Sequence, residues 1–264
     1  VIFSPTWRRM KIHPIDLEFE GLNRAIAAFL VESGETRILI ETGPESTRET
    51  LLGKLKVLGC NPVELDAVFV THIHLDHAGA AGWFANQGIP LYLHPKAERH
   101  LLDPTRLIAS ARMVYGDQFD NLWGDMTPAP AESVHAIPAG FIQTVGELSI
   151  EALETPGHAF HHYAFALGNT CFAGDAAGAC ITGSDFISVT SAPPQFDLAH
   201  TLNSIDLLKS RDFDILYLTH FGSVLSPKQH LSDYREAVEL NAEFIRQRLE
   251  ENMDPESLKV AYQA

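Results

Sequence analysis

The run Thr71-His72-Ile73-His74-Leu75-Asp76-His77 constrains this chain more than any other stretch. Four side chains able to ligate a metal fall within six positions: three imidazoles and a carboxylate. They follow Val68-Phe69-Val70, a short, wholly apolar segment of the kind that forms a strand buried on both faces. Ile73 and Leu75 alternate with His72 and His74, so an extended backbone sends both imidazoles to one side and both aliphatic groups into a core. Asp76 and His77 fall where the chain turns into the next helix, so one segment can serve two adjacent cations. Imidazole and carboxylate suit zinc, iron or manganese, and the run holds no thiolate to favour soft-metal chemistry. Buried His and Asp without partners are costly, which makes a metal-free histidine loop a poor account of the pattern.

The surrounding elements follow from periodicity. Strands are expected over Ile12–Phe19, Ala25–Val31 and Arg37–Ile40, closed by Gly43-Pro44, with a helix over Ser46–Leu58. After the His run come a helix near Ala78–Ala85, a strand at Leu91–Leu93 and helical turns over Lys96–Leu102. Residues 103–130 are aromatic, polar and broken by Pro and Gly, and read as a helical excursion. Strands resume at Ser149–Leu153, Tyr163–Leu167 and Thr170–Phe172. A helix over Asp197–Lys209, a strand at Ile215–Leu218 and a last helix over Pro227–Glu251 complete the chain, the last with Tyr234, Val238, Ala242, Ile245 and Leu249 on one stripe. No linker divides the sequence, so residues 1–264 read as one domain. Val68-Phe69-Val70-Thr71-His72 is echoed by Leu216-Tyr217-Leu218-Thr219-His220. Two apolar strands ending in Thr-His would each deliver an imidazole to one rim.

Composition narrows the partners. With 19 Lys+Arg against 34 Asp+Glu the net charge is -15, which repels a nucleic-acid backbone and an anionic membrane alike. No stretch approaches the ~18 apolar residues of a membrane span. Arg8 and Arg9 follow apolar residues, the wrong order for a signal peptide, although the chain opens at Val1 and an upstream leader stays open. Cys60, Cys171 and Cys180 give neither a disulfide framework nor a zinc-ribbon spacing and fit a reduced cytoplasm. A small-molecule substrate is expected, and a homodimer is left open. Thirteen His is a high count, and His is the commonest metal ligand.

The His-x-His-x-Asp-His run resembles the signature of the metallo-β-lactamase superfamily, in particular its glyoxalase II-like hydrolases. Other motifs occur in the order of that family. They are Ile40-Glu41-Thr42-Gly43 (where the family often has Asp for Glu41), Thr155-Pro156-Gly157-His158, Gly174-Asp175 and Thr219-His220-Phe221-Gly222. The resemblance implies an α/β (α+β) fold, a four-layer αββα sandwich with its site on one edge. It implies one metal held by His72, His74 and His158, a second held by Asp76, His77 and His220, and Asp175 bridging them. Two divalent ions are implied, zinc first, with iron or manganese as alternatives. Asp76 would also orient a metal-bridging hydroxide that attacks a thioester or ester, since paired cations bring the pKa of water toward neutral. His162 matches a family position and reads as support for the ligands, while His161 is a departure without an assigned role. Tyr115 and Trp123, in the excursion, are candidate substrate contacts.

Departures narrow the subgroup. A bridging Asp175 argues against antibiotic-degrading members, Gly178 stands where lactonases commonly carry Tyr, and the segment from Ala176 to Ile187 lacks the basic cluster of glutathione thioesterases. Ala78–Gly82 lacks the Lys-Ser/Thr of a phosphate loop. Pro193-Pro194 reads as a turn before the helix, with lining of the substrate pocket as the alternative. His13, His94, His100, His135, His200 and His230 have no ligand context and read as surface or core. Rival expectations are a mononuclear iron sulfur dioxygenase, a lactonase or phosphodiesterase of the same superfamily, and a non-catalytic metal-binding module.

Overall fold

In the computed structural model, residues 10–180 and 186–263 are described. The reading of residues 1–9 as no signal peptide, and residues 181–185 of the segment without basic groups, lie outside them.

The first half of the chain runs β1 (Lys11–Asp16), β2 (Ala27–Ser33), β3 (Thr36–Ile40), α1 (Arg48–Val57), β4 (Ala67–Phe69), α2 (Leu75–Ala78), α3 (Ala81–Asn86), β5 (Leu91–Leu93), α4 (Glu98–Leu102), α5 (Thr105–Tyr115), α6 (Phe119–Leu122) and β6 (Val134–Ala136). The second half runs β7 (Ile142–Val145), β8 (Leu148–Glu154), β9 (Tyr163–Leu167), β10 (Thr170–Gly174), β11 (Ala179–Cys180), β12 (Ile187–Ser188), α7 (Leu198–Ser210), β13 (Ile215–Leu218), β14 (Gly222–Val224), α8 (Pro227–Glu250) and α9 (Pro255–Gln263). One six-stranded sheet has the order β1-β2-β3-β4-β5-β6; the other has β14-β13-β10-β9-β8-β7. Both are mixed: β3 to β6 run parallel, and β10 pairs β13 in parallel, while the remaining pairs are antiparallel.

Strand alternation creates the layers. Ala27, Phe29 and Val31 of β2 face Phe165, Phe172 and Tyr217 in the core between the sheets. Ala28 and Leu30 of the same strand face outward, under Leu51, Leu55 and Phe84 of the helices. The second sheet turns Ala164, Cys171 and Leu216 outward, against Ile205 and Leu208 of α7 and Leu231 and Tyr234 of α8. This is the four-layer αββα sandwich. β4 and β9 are buried at every position and carry no charged residue, because each large apolar side chain so buried contributes about 1.5–3 kcal/mol.

Several boundaries differ from expectation. β1 stops at Asp16, which accepts from the N–H groups of Glu18 and Arg24 and so folds the chain back on itself. The helix expected near Ala78–Ala85 is two short ones, α2 and α3. β6, β7, β14 and α9 carried too few apolar residues to be read from periodicity. The expected α7 and α8 match closely, and Asp197 caps α7 by accepting from the His200 N–H at 2.8 Å.

Candidate metal centre

The Thr-His echo has a structural meaning. Thr71 follows β4 in the first sheet and Thr219 follows β13 in the second. The Thr71 carbonyl accepts from Tyr163 N–H of the second sheet at 2.8 Å, and the Thr219 carbonyl accepts from Ala27 N–H of the first at 2.9 Å. The two crossings stitch the sheets together at one rim. His72 and His220 emerge beside them.

Between the two threonines lies Glu41, fully buried and in the left-handed backbone region at φ 64°. Its carboxylate accepts from Thr71 Oγ1 at 2.5 Å, Thr71 N at 3.3 Å, Thr219 Oγ1 at 3.3 Å and His77 Nδ1 at 3.0 Å. It therefore fixes both rim segments and one imidazole. The motif Ile40-Glu41-Thr42-Gly43 marked the position but not this role.

These bonds settle which ring nitrogens face the centre. Thr71 gives its only hydroxyl proton to Glu41, so it accepts from His72 Nδ1 at 3.0 Å, and His72 Nε2 keeps its lone pair. His158 Nδ1 donates to the Thr190 carbonyl at 2.7 Å, which leaves its Nε2 a lone pair as well. His72 Nε2, His158 Nε2 and His74 Nδ1 lie 2.8–3.1 Å from one another. At most one of the three carries a proton, so lone pairs face each other at hydrogen-bond range. His77 Nδ1 donates to Glu41 and His220 Nδ1 to the Ala25 carbonyl at 2.9 Å. Their Nε2 lone pairs face carboxylates: His77 lies 3.6 Å from Asp76 Oδ2 and 3.4 Å from Asp175 Oδ1, and His220 lies 3.3 and 3.6 Å from the same atoms. His77 Nε2 and Asp175 Oδ1 are buried without a hydrogen-bond partner.

An array of acceptors facing acceptors is what cations between them would satisfy. Among the described residues, three triads are close enough to hold an ion: His72–His74–His158, His72–His77–Asp175 and Asp76–His77–His220. The seven residues expected as ligands thus converge on one rim, with Asp175 against both histidine groups: its Oδ2 is 3.3 Å from His158 Nε2.

Charge and burial follow the same division. Burial, together with His77 and its other histidine neighbours, pulls His72 well below the ordinary imidazole range. Burial and His158 bring His74 down to about 4. Burial would also lower His77, but Asp76, Asp175 and Glu41 outweigh it and raise it well above the ordinary range. Against the same burial, Asp175 and Asp76 raise His220. Burial would raise Asp175, but His158, His77 and His220 hold it well below the usual carboxylate range. His77 and His220, the two histidines that the carboxylates raise, lie on the side where a second cation would sit.

Supporting residues complete the frame. His162 Nε2 accepts from the Asp175 N–H at 3.1 Å, so its Nδ1–H donates to Thr155 Oγ1 at 2.9 Å. His162 thus sets the backbone that aims Asp175. Gly174, at φ +50°, makes room for this: a Cβ there would lie 2.7 Å from both His162 Nε2 and Thr71 Oγ1. At Gly178 a Cβ would meet the Tyr234 ring at 2.6 Å, so Tyr234 of α8 occupies the space a side chain at 178 would need. His161 is buried with Nδ1 unpartnered, its ring 5.9 Å from that of His74. Sequence reasoning missed Glu41, Thr71, Thr190 and Tyr234 as supports, and Thr190, in a loop, gave no local signal.

Tyr115 ends α5 and packs edge-on against Trp123 at 5.1 Å, which stacks on Phe19 at 5.3 Å. After burial, the Asp76 charge is what raises the Tyr115 hydroxyl, which puts Tyr115 within electrostatic reach of the rim. Trp123 is the wedge behind it. His94 and His230 are buried, and His230 Nε2 donates to the Ala177 carbonyl at 2.8 Å. Cys60 and Cys171 are buried free thiols and Cys180 is half-buried.

An αββα sandwich carrying clustered His and Asp side chains on its strand-end rim defines a class of metal-binding proteins. The chain belongs to the metallo-beta-lactamase superfamily, whose family model matches residues 22–220. It is 26% identical over 211 residues to the metallo-beta-lactamase fold-containing protein ST1585 of Sulfurisphaera tokodaii, covering 72% of this chain and 77% of that one. It is 26% identical over 226 residues to an atrochrysone carboxyl ACP thioesterase of Aspergillus chevalieri, covering 85% of this chain and 59% of the relative. The crystal structure of ST1585 from Sulfolobus tokodaii shares the fold with TM-score 0.72 at 21% identity, over 86% of this chain and 85% of that one. No described helix is long and apolar enough to cross a membrane.

Proposed function

We propose that this chain is a metal-dependent hydrolase of an ester-like bond, thioester or ester, in a small molecule, of the glyoxalase II-like kind. The observation that carries this reading is the set of inward lone pairs on His72, His158, His77 and His220, with Asp76 and Asp175 among them. His72, His74 and His158 would hold one divalent ion, Asp76, His77 and His220 a second, and Asp175 both. Bound there, such ions supply Lewis acidity and bring the pKa of water toward neutral. Zinc, iron and manganese all suit the donor set, and zinc is the first choice.

The chain's own residues supply orientation. Glu41 locks the His77 tautomer, Thr71 that of His72, and the Thr190 carbonyl that of His158, so each ring presents its lone pair without rearrangement. Asp76, a quarter exposed where Asp175 is buried, would take a hydrogen bond from an attacking water, a role its exposure supports. Two fungal relatives carry thioesterase names, which favours a thioester.

Metal analysis of protein purified without chelator tests the reading, followed by assays on thioester, ester, lactone and phosphodiester substrates. Two metal equivalents and thioester or ester turnover are expected. His77→Ala or His220→Ala should each cost one equivalent, and Asp76→Ala should lower turnover by roughly 10²-fold or more. Full metal content in both histidine variants would sink the ligand assignment. A single iron with oxygen uptake on a persulfide would establish the dioxygenase instead.

A further inference from the structure

A strap over residues 187–197 runs past the rim and carries a cavity on its far side. It is tied to the centre at three points. At its start, β12 pairs with β11, whose Cys180 N–H donates to the His220 carbonyl. In its middle, the Thr190 carbonyl accepts from His158 Nδ1, and Thr190 Oγ1 donates to the Asp175 carbonyl at 2.6 Å. At its end, Asp197 N–H donates to the Gly157 carbonyl at 2.8 Å, one residue before His158.

Val189, Pro193, Pro194 and Phe196 of this strap form one wall of a cavity of about 370 Å³. The opposite wall is Val238, Ala242 and Ile245 of α8, closed by Tyr262 of α9. The expected α8 stripe therefore continues beyond the core: Tyr234 and Val238 are buried in it, whereas Ala242 and Ile245 face this space. Among the described residues the lining holds no charged side chain. The Asn241 amide is satisfied from within, donating to the Ala237 carbonyl and accepting from the Tyr262 hydroxyl at 2.5 Å. The wall facing the space is thus mostly hydrocarbon, with Ser191 of the strap its remaining polar member, and the volume falls in the ~300–1,000 Å³ range of small-molecule pockets.

We propose that this cavity binds the alkyl or aryl group of a small, uncharged molecule, and that its occupant bears on the strap that orients His158. Concavity and volume favour a small molecule over a helix or a flat partner surface, and the uncharged lining gives no counter-ion for a charged ligand. The binding itself is independent of the hydrolase reading. The link to His158 rests on it.

Fluorescence titration with N-phenyl-1-naphthylamine, an uncharged aryl probe, tests the site on the metal-loaded and the metal-free protein. Saturable binding is expected, displaced more strongly by octan-1-ol than by butan-1-ol. Ala242→Trp, which fills the cavity, should weaken binding at least tenfold with metal content unchanged. Ile245→Glu, at a position already 37% exposed, places a carboxylate at the mouth and gives a second variant with little risk to folding. Unchanged probe affinity in both variants overturns the site. So does dimerisation of the wild-type chain that either variant abolishes, because a second copy would then be the occupant. In cobalt-loaded protein, saturating octan-1-ol should shift the visible absorption bands, and the shift should disappear in Ala242→Trp. Bands untouched by the alcohol overturn the link to His158. Failure to bind cobalt at all counts against the hydrolase reading and leaves the probe result standing.

Discussion

Glu41 is the residue on which the rim depends. Its carboxylate accepts four hydrogen bonds from three residues, Thr71 after β4, Thr219 after β13 and His77 of α2, and it is fully buried. Replacing it by Gln keeps the volume but turns one acceptor into a donor that faces other donors. Glu41→Gln should therefore lower stability by about 1–3 kcal/mol, read from urea unfolding. It should also free the His77 tautomer and weaken metal affinity about 10–100-fold, read by competition with a chelating dye. Retained affinity in a stably folded variant would show that His77 is oriented by something other than Glu41. The family tendency to Asp at this position made Glu41 look like a mere variation. The threonine contacts, from residues 30 and 178 positions away, are what give the longer side chain its function.

At the scale of elements, the excursion from α4 to β6 and the strap before α7 share one logic. Each packs on the outer side of a sheet, the first through Leu101, Phe119 and Met126 and the second through Ile187 and Val189, and each sets a side chain near the rim. α5 buries no residue completely and leaves Met113 and Val114 exposed, while Leu107, Ile108 and Ala111 on its other side pack on the core. Tyr115, at the end of α5, packs on Trp123 and lies within electrostatic reach of Asp76. Tyr115→Ala should cost about 1 kcal/mol or less, since it removes one partly exposed aromatic contact. It should raise KM for the hydrolysed substrate and leave kcat nearly unchanged, as expected for loss of uniform binding. An unchanged KM would assign the excursion to another task, such as an interface between copies. The expected helices and buried strands were legible because their periodicity reflects local packing. β6, β7 and β14 were not, because short strands at the sheet margins are held by their neighbours' backbone bonds and not by their own side chains.

For the whole molecule, proton linkage gives a test that needs no substrate. In metal-free protein His74, lowered to about 4, and His161, lowered to about 3, are neutral when folded but titrate near 6.5 when unfolded. Their contribution is full above pH 6.5 and is lost as pH falls toward those values. His77 and His220 are raised, so their contribution is full below pH 6.5 and is lost as pH rises through the raised values. The urea midpoint of chelator-treated protein should therefore peak near pH 6.5 and fall on both sides. Adding the metal should lift the alkaline side most, because it replaces the protons that the paired carboxylates attract. A flat profile between pH 5 and 8 would contradict the buried placement of these groups. The net charge of -15 is thus a statement about the surface, while the rim itself gathers positive charge, as protons or as metal ions.

The sequence by itself determined the layers and the ligand candidates, because both depend on short-range pattern. Apolar strands alternate between two cores, and His72, His74, Asp76 and His77 occupy one segment. Its resemblance to a known signature added His158, Asp175 and His220 from distant strand ends. Only the tertiary structure decided how those seven are aimed. Tautomers depend on the partner of the other ring nitrogen, and these partners — Glu41, Thr71, the Ala25 and Thr190 carbonyls — come from four separate places in the chain. Tertiary structure alone also decided where the α8 stripe leaves the core, since a helix repeats its apolar face whether or not anything covers it. The strap that meets that uncovered stretch is tied to His158 by backbone groups, which every residue carries and which no sequence pattern reveals.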